Sequence, residues 1–319
     1  MLEPLPGRLA FSTATFTVQG TDIQNMNVLV VGGAGFIGRH LCAELVERDH
    51  EVTALSRNPD DEKLPDGVES ARGDVTDYES IAGAFADRDA VVNLVALSPL
   101  LQSKGGSERQ FEVHLGGTRN VVRAATEHGV DRLLQQSGLG ASHDATTAHL
   151  RAKGQAETVV RESDLDWIIT RPSVVFGDGD EIVPFTKLVT TPYVTGLPGG
   201  GKTPFQLIWV GDLVRMLADA IGQNRHVGKV YELGGPEVLT LADITRAIYR
   251  AEGRSVRIIP VPMPLTKVGM TFAEPIPFIP FGRDQYHGLQ VENIPTHNDI
   301  DAFGVSRDDL TTFSAYLSS

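Results

Sequence analysis

The segment Asn27 to His40, NVLVVGGAGFIGRH, limits the fold more than any other part of the chain. A short apolar run, Val28 to Val31, meets a glycine-rich turn and then a segment whose apolar residues Phe36, Ile37, Leu41, Leu45 and Val46 recur at helical spacing. That is strand, turn, helix. Gly32, Gly35 and Gly38 stand in GxxGxxG spacing. A side chain at the first would spoil the tight turn, and one at the second would hold the backbone away from a pyrophosphate. A side chain at the third would keep helix from packing on strand. The helix N-terminus, with Phe36 and Ile37 in its first turn, offers unpaired N–H groups to phosphates, so the expected ligand is a dinucleotide.

His50 to Ser56 reads as the next strand, and Ser56 and Arg57 stand where an acid that binds the ribose of NAD would be expected. A small hydroxyl followed by arginine leaves room and charge for a 2′-phosphate, which favours NADP and leaves NAD open. Further along, Val68 to Gly73, the buried-type run Ala90 to Ala96, Arg132 to Ser137 and Asp166 to Thr170 read as strands. Between them, Asp77 to Phe85, 107 to 127 and Ala145 to Arg161 read as helices. Strand and helix alternate, which predicts an α/β fold with a doubly wound parallel sheet of Rossmann type.

Beyond Arg171 proline and glycine become frequent and the elements shorten. Pro204 to Val210, Lys229 to Leu233 and Val256 to Val261 are strand-like, and Asp212 to Ile221 and Leu241 to Ala251 are helical. The expected division is a dinucleotide-binding domain over residues 26–175 and a smaller, mostly C-terminal substrate lobe over 176–319, with returns to the core sheet. Residues 1–25 lack periodicity and read as a disordered tail or a misplaced start. The proline-rich Phe272 to Phe281 reads as an apolar lid, a docking surface or a packed loop.

A chain of 319 residues with 41% hydrophobic content is long enough for such a domain and lobe. No apolar run reaches membrane-spanning length, and the first 26 residues lack the pattern of a signal peptide, so a soluble cytoplasmic protein is expected. The net charge of −13 argues against nucleic acid or an anionic membrane as partner. Lysine is scarce, seven against twenty-one arginines, which suits a halophilic cytoplasm or an ordinary acidic enzyme. Cys42 is the single cysteine; it lies inside the first helix, so no disulfide and no metal site are expected.

Taken together, VVGGAGFIG, the Asp74–Val75 pair, the strand ending at Ala96, HLGGTRNVVRAA, Ser137, the KGQAE segment from Lys153 and RPSVVFG resemble the extended and atypical short-chain dehydrogenase/reductases, the epimerase/dehydratase-like group. LRAKGQAE, RPSVVFGDGD, FQLIWVGDL and ELGGPEVLTL are most similar to the branch related to the nucleotide-binding accessory subunit of respiratory complex I. The resemblance implies that Asp74 and Val75 lie by the adenine and that Leu94, Val95 and Ala96 lie along the ribose. It places Pro172, Val174 and Val175 near the nicotinamide.

It also implies a catalytic set with one substitution. Such reductases use a tyrosine acid four residues before a lysine, with a serine to polarise the carbonyl. Here the set is Ser137, His149 and Lys153, with histidine where the tyrosine is expected. One helical turn keeps His149 and Lys153 on one face. An imidazole beside Lys153 is pushed down and stays neutral, so it is a poor acid. It serves either as a hydrogen-bond donor to a developing oxyanion or as a tolerated polar residue in a site without turnover. His143 and Ser142, in the preceding loop, are alternative proton sources. His114 stands where the family's helix carries an asparagine in a proton path.

Gly196 to Thr203, GLPGGGKT, matches the GxxxxGK[ST] phosphate pattern, but Pro204 and the β-like FQLIWV follow where a helix is required. Two functions stay open. One is an NADP-dependent oxidoreductase or isomerase acting on a small organic molecule. The other is a non-catalytic NADP(H)-holding protein docked on a respiratory or quinone-related assembly.

Overall fold

The computed structural model describes residues 25–59, 63–98, 105–262 and 291–319. The segment Phe272 to Phe281 and nearly all of the N-terminal tail lie outside the described residues. Six strands open the chain: β1 (Asn27–Val31), β2 (Glu51–Ser56), β3 (Val68–Arg72), β4 (Ala90–Asn93), β5 (Arg132–Gln136) and β6 (Asp166–Pro172). Short strands β7 (Val175–Phe176), β8 (Tyr193–Pro198), β9 (Pro204–Phe205) and β10 (Ile208–Trp209) follow. Then come β11 (Lys229–Leu233), β12 (Leu239–Thr240) and β13 (Val256–Val261). The helices are α1 (Phe36–Glu47), α2 (Tyr78–Ile81), α3 (Gly106–Phe111), α4 (Gly117–Glu127), α5 (Ala148–Arg161), α6 (Ile182–Val189), α7 (Val210–Gly222), α8 (Leu241–Ala251) and α9 (Phe313–Leu317).

Seven strands form one parallel sheet in the order β11-β6-β5-β4-β1-β2-β3. Alternation along β1 divides its side chains between two cores. Val28 and Val30 pack with Leu41, Cys42 and Leu45 of α1 and with α7, while Leu29 and Val31 meet Val121 and Ala124 of α4 and Val160 of α5. Full burial of a leucine such as Leu41 contributes about 1.5–3 kcal/mol, so both faces of the sheet are heavily stabilised. Chain order reverses at β1, which lies between β2 and β4. In doubly wound sheets ligands bind at this switch point, outside the carboxyl ends of the strands.

The later chain divides its elements between the sheet and a smaller body. β11 completes the sheet beside β6, and α7 packs on α1, with Arg48 paired to Asp219. The body comprises α6, α8 and α9 with two-stranded pairings of β12 with β9 and of β13 with β8. Its core includes Phe176, Ile182, Leu197, Ile244 and Phe313.

Local details differ from the periodicity. The stretch 107–127, read as one helix, is α3, a π-helical turn over Glu112–Gly116, and α4. α5 starts at Ala148 rather than Ala145 because the Thr147 hydroxyl accepts from the Leu150 N–H at 3.3 Å and caps it. Pro204 to Val210 is two short strands, and Val210 already belongs to α7. α6 and β8 have no counterpart in the pattern reading. The GLPGGGKT stretch leaves β8 through Gly199, Gly200 and Gly201, at φ of 57°, 78° and 65°, and runs into β9. With no helix starting at Lys202, that turn lacks the cradle a phosphate loop requires.

Candidate active site

At the switch point Gly32 turns the chain with φ of +89°, a conformation that side chains rarely adopt. A Cβ on Gly38 would stand 2.3 Å from the Gly32 carbonyl oxygen, so this glycine sets how closely α1 approaches β1. Gly35 caps α1 without any side-chain hydrogen bond, leaving the first N–H groups of a twelve-residue helix available to an anion. Carboxylates are absent from its first turn.

A cleft of about 820 Å³ opens over this turn. Gly32, Gly35, Phe36, Ile37, Gly38, Ser56, Arg57, Asp74, Val75, Leu94, Val95, Ala96, Ser137, His149, Lys153, Pro172, Val174 and Val175 all line it. At the nucleotide end the Ser56 hydroxyl is buried without a hydrogen-bond partner, beside the exposed Arg57. Asp74 accepts from the Thr76 N–H at 3.0 Å and hydroxyl at 2.9 Å. Partial burial raises its carboxyl, but those bonds, with Arg57 and Arg109 nearby, hold it below the usual range. The open helix end, the positive-φ glycine and the orphaned Ser56 hydroxyl fit a dinucleotide phosphate and ribose.

The other end is built from side chains. Lys153, buried on α5, donates to the carbonyls of Gln136 and Ser137, both at 3.2 Å. Burial pulls its ammonium down to about 8, against the opposing field of Glu157. Glu157, one turn on and 1% exposed, accepts from Arg171 Nε at 2.8 Å and Nη2 at 2.7 Å and from Arg161 at 2.7 Å. This buried cluster ties α5 to the end of β6. The Ser137 hydroxyl is buried and has no partner.

His149 keeps some surface toward the cleft, and its Nδ1 lies 3.2 Å from Gln110 Oε1. With the Gln110 amide oxygen as its partner, the ring that fits is the one with its proton on Nδ1, which leaves Nε2 as an acceptor. Burial, and then the Lys153 charge, push its pKa down to about 3. Its ring meets His114 edge to face at 4.8 Å. His114 itself sits on the π-helical turn, accepts from the Leu97 N–H at 3.5 Å and is held well below its ordinary value by burial, then by Lys153 and His149, against a hydrogen bond with the Val95 backbone. It fastens the loop after β4. His143 is turned away: its Nε2 lies 2.8 Å from the Thr158 hydroxyl, and neither it nor Ser142 is among the described residues lining the cleft.

Three contributors have no sequence signal: Gln110, Glu181 and Asn293. Asn293, distant in sequence, accepts through Oδ1 from the Ser173 hydroxyl at 2.6 Å and the Val174 N–H at 2.8 Å. Its main chain also bonds to Pro204 and Gln206, so one residue clasps the smaller body to the wall after β6.

A seven-stranded parallel sheet with a glycine turn and an open helix end at its switch point defines a dinucleotide-binding protein of Rossmann type. A family model described as NAD(P)H-binding matches residues 32–191, half of the chain, and the chain belongs to that family, in its extended short-chain dehydrogenase/reductase group. It is 28% identical over 300 residues to the mitochondrial NADH dehydrogenase (ubiquinone) 1 alpha subcomplex subunit 9 of Arabidopsis thaliana, covering 88% of this chain and 73% of that relative. To the 2-alkyl-3-oxoalkanoate reductase of Stenotrophomonas maltophilia it is 29% identical over 254 residues, covering 72% of this chain and 76% of that one. The UDP-glucose 4-epimerase of Thermus thermophilus, solved in complex with NAD, shares the fold with a TM-score of 0.64 at 23% identity, over 83% of this chain and 99% of that one. Among the described residues no helix is long and apolar enough to cross a membrane, and no group of side chains could hold a metal ion.

Proposed function

We propose that the chain holds NADP(H) as a retained cofactor and does not pass a proton to a substrate in the manner of its tyrosine-bearing relatives. The carrying observation is His149, which occupies the acid's place with a neutral ring whose one proton is directed to Gln110. Burial, and then the Lys153 charge, keep the ring neutral at pH 7. In the tautomer that pairs with Gln110 Oε1, Nε2 accepts rather than donates and offers nothing to a developing oxyanion.

Gly32, Gly35 and Gly38 hold the pyrophosphate, Ser56 and Arg57 take the 2′-phosphate, and Lys153 holds the nicotinamide ribose beside Val174 and Val175. When bound, NADPH would carry a transferable hydride, which in this reading is not passed to a substrate. The similarity to a complex I accessory subunit, over most of the chain, supports docking of the loaded protein on a respiratory assembly.

A second reading, an NADP-dependent oxidoreductase or isomerase, is favoured by one feature, the unpartnered, buried hydroxyl of Ser137, a residue that lines the same cleft. Gel filtration of NADPH-loaded protein followed by a carbonyl panel decides between them. Holding predicts co-elution of NADPH and no oxidation above the blank. Turnover that disappears in His149→Ala overturns it.

A further inference from the structure

β2 and β3 pair in parallel at the edge of the sheet, with Ser56 opposite Arg72. Side chains alternate along a strand. Leu55 and Ala71 turn into the core that holds α4, so Ser56 and Arg72 stand on the other face, the one α1 covers. From there Arg72 reaches back to the main chain of Arg57, and its Nε–H donates to the Arg57 carbonyl at 3.2 Å. That bond uses one corner of the guanidinium. It leaves the edge formed by the two Nη groups, a fork that grips a phosphate bidentately.

Two exposed arginines are thus held side by side in a chain whose net charge is −13. Like charges so placed repel, and the arrangement becomes favourable when an anion of more than one charge lies against both. Charge balance at this end of the cleft points the same way. Asp74 feels the field of Arg57 and keeps its negative charge. A phosphate monoester carries about −1.5 to −2 near neutral pH, so with Arg57 alone the carboxylate and the phosphate would face a single cation. Arg109 also acts on Asp74, but its Nη1 already lies 2.8 Å from Glu112. Arg72 is the cation that the fold ties directly to Arg57.

We infer that Arg72 is a second determinant of cofactor choice: its Nη edge, held in place through the Arg57 carbonyl, takes the 2′-phosphate of NADP(H) together with the Arg57 side chain. The inference rests on the reading of this end as the NADP(H) site. It assigns the discrimination between NADP(H) and NAD(H) to a pair of cations from the ends of two neighbouring strands, β2 and β3.

Fluorescence titration of the full chain with NADPH and with NADH tests it. Arg72→Gln keeps an amide N–H where Nε stands and removes the charge, so a loss in this variant reports the charge and not the bond to Arg57. It is expected to weaken NADPH by about five- to twentyfold while NADH changes less than about twofold. Arg72→Lys, which keeps the charge, is expected to hold NADPH within about threefold of the native chain. Raising KCl from about 0.1 M to 1 M is expected to weaken NADPH more in the native chain than in Arg72→Gln. Arg57→Ala is the reference for the site. A selective loss of NADPH in Arg57→Ala without one in Arg72→Gln, or with one in Arg109→Gln instead, overturns the inference and leaves the NADP(H) reading standing. Equal losses of NADPH and NADH in Arg72→Gln overturn it as well, since they would show a residue that only supports the chain after β2. Equal binding of the two cofactors by the native chain, unchanged in Arg57→Ala, overturns both.

Discussion

At the nucleotide end of the cleft the contacts come from main chain: a turn at Gly32, an uncapped helix start at Gly35, and a helix seated against β1 through Gly38. At the far end they come from side chains carried by α3, α5, α6, β9 and the segment around Asn293. Backbone geometry is set by a few glycines close together in sequence and tolerates little change. A side-chain constellation is assembled from separate elements, as His149 and Gln110 are, and one member can change while the surrounding fold persists. On the proposed reading, binding and chemistry are separable in this molecule.

The largest expected effect attacks the backbone end. Gly38→Val forces a Cβ to 2.3 Å from the Gly32 carbonyl oxygen and should lower the melting temperature by roughly 10 °C or prevent folding, with NADPH binding lost. Gly35→Ala meets only that same oxygen at 3.1 Å, so it should leave the melting temperature nearly intact and weaken NADPH alone. Equal melting temperatures for the two variants would break the distinction.

Cofactor choice comes next. Arg57→Ala should weaken NADPH by about 10- to 100-fold, the loss of a charge-assisted contact, with NADH unchanged, read by fluorescence titration. A parallel loss for both cofactors would place Arg57 away from the 2′-phosphate.

The side-chain end should be visible in the pH dependence of stability. His149 titrates near 3 when folded against about 6.5 unfolded, so below 6.5 the unfolded chain takes up protons that the native ring refuses. The stabilisation is complete above 6.5 and is lost as pH falls toward 3. His226, drawn down to about 4 by burial and then by Arg225 and Arg132, acts in the same direction. Urea midpoints should therefore fall from pH 6.5 to 4, and less steeply in His149→Gln; identical slopes would show that the ring is not held neutral. Smallest of all, Lys202→Ala should change neither melting temperature nor nucleotide affinity, because its glycine turn runs into a strand.

This division also explains what could be read from sequence. Glycine spacing and the alternation of apolar runs are local signals, so the turn at Gly32 and the elements Lys229–Leu233, Leu241–Ala251 and Val256–Val261 were legible. Gln110, Glu181 and Asn293 reach the cleft only through tertiary packing, and nothing in their neighbours marks them. His149 was legible as a neutral ring, but burial outweighs the lysine charge as its cause, and burial is not a property of a spacing. α6 and β8 were hidden by the prolines and glycines around them.

The π-helical turn over Glu112–Gly116 holds one residue more than α-helical spacing would. The turn absorbs that residue so that α3 and α4 keep their faces; straightening it to α-helix with every residue retained would rotate α3 by about 100° relative to α4. Gln110 would swing off His149, although the composition of the site would be unchanged. In this segment a one-residue gap in an alignment thus leaves the same face looking into the cleft when the gap falls in the turn, and two chains that differ by that gap can still present the same site.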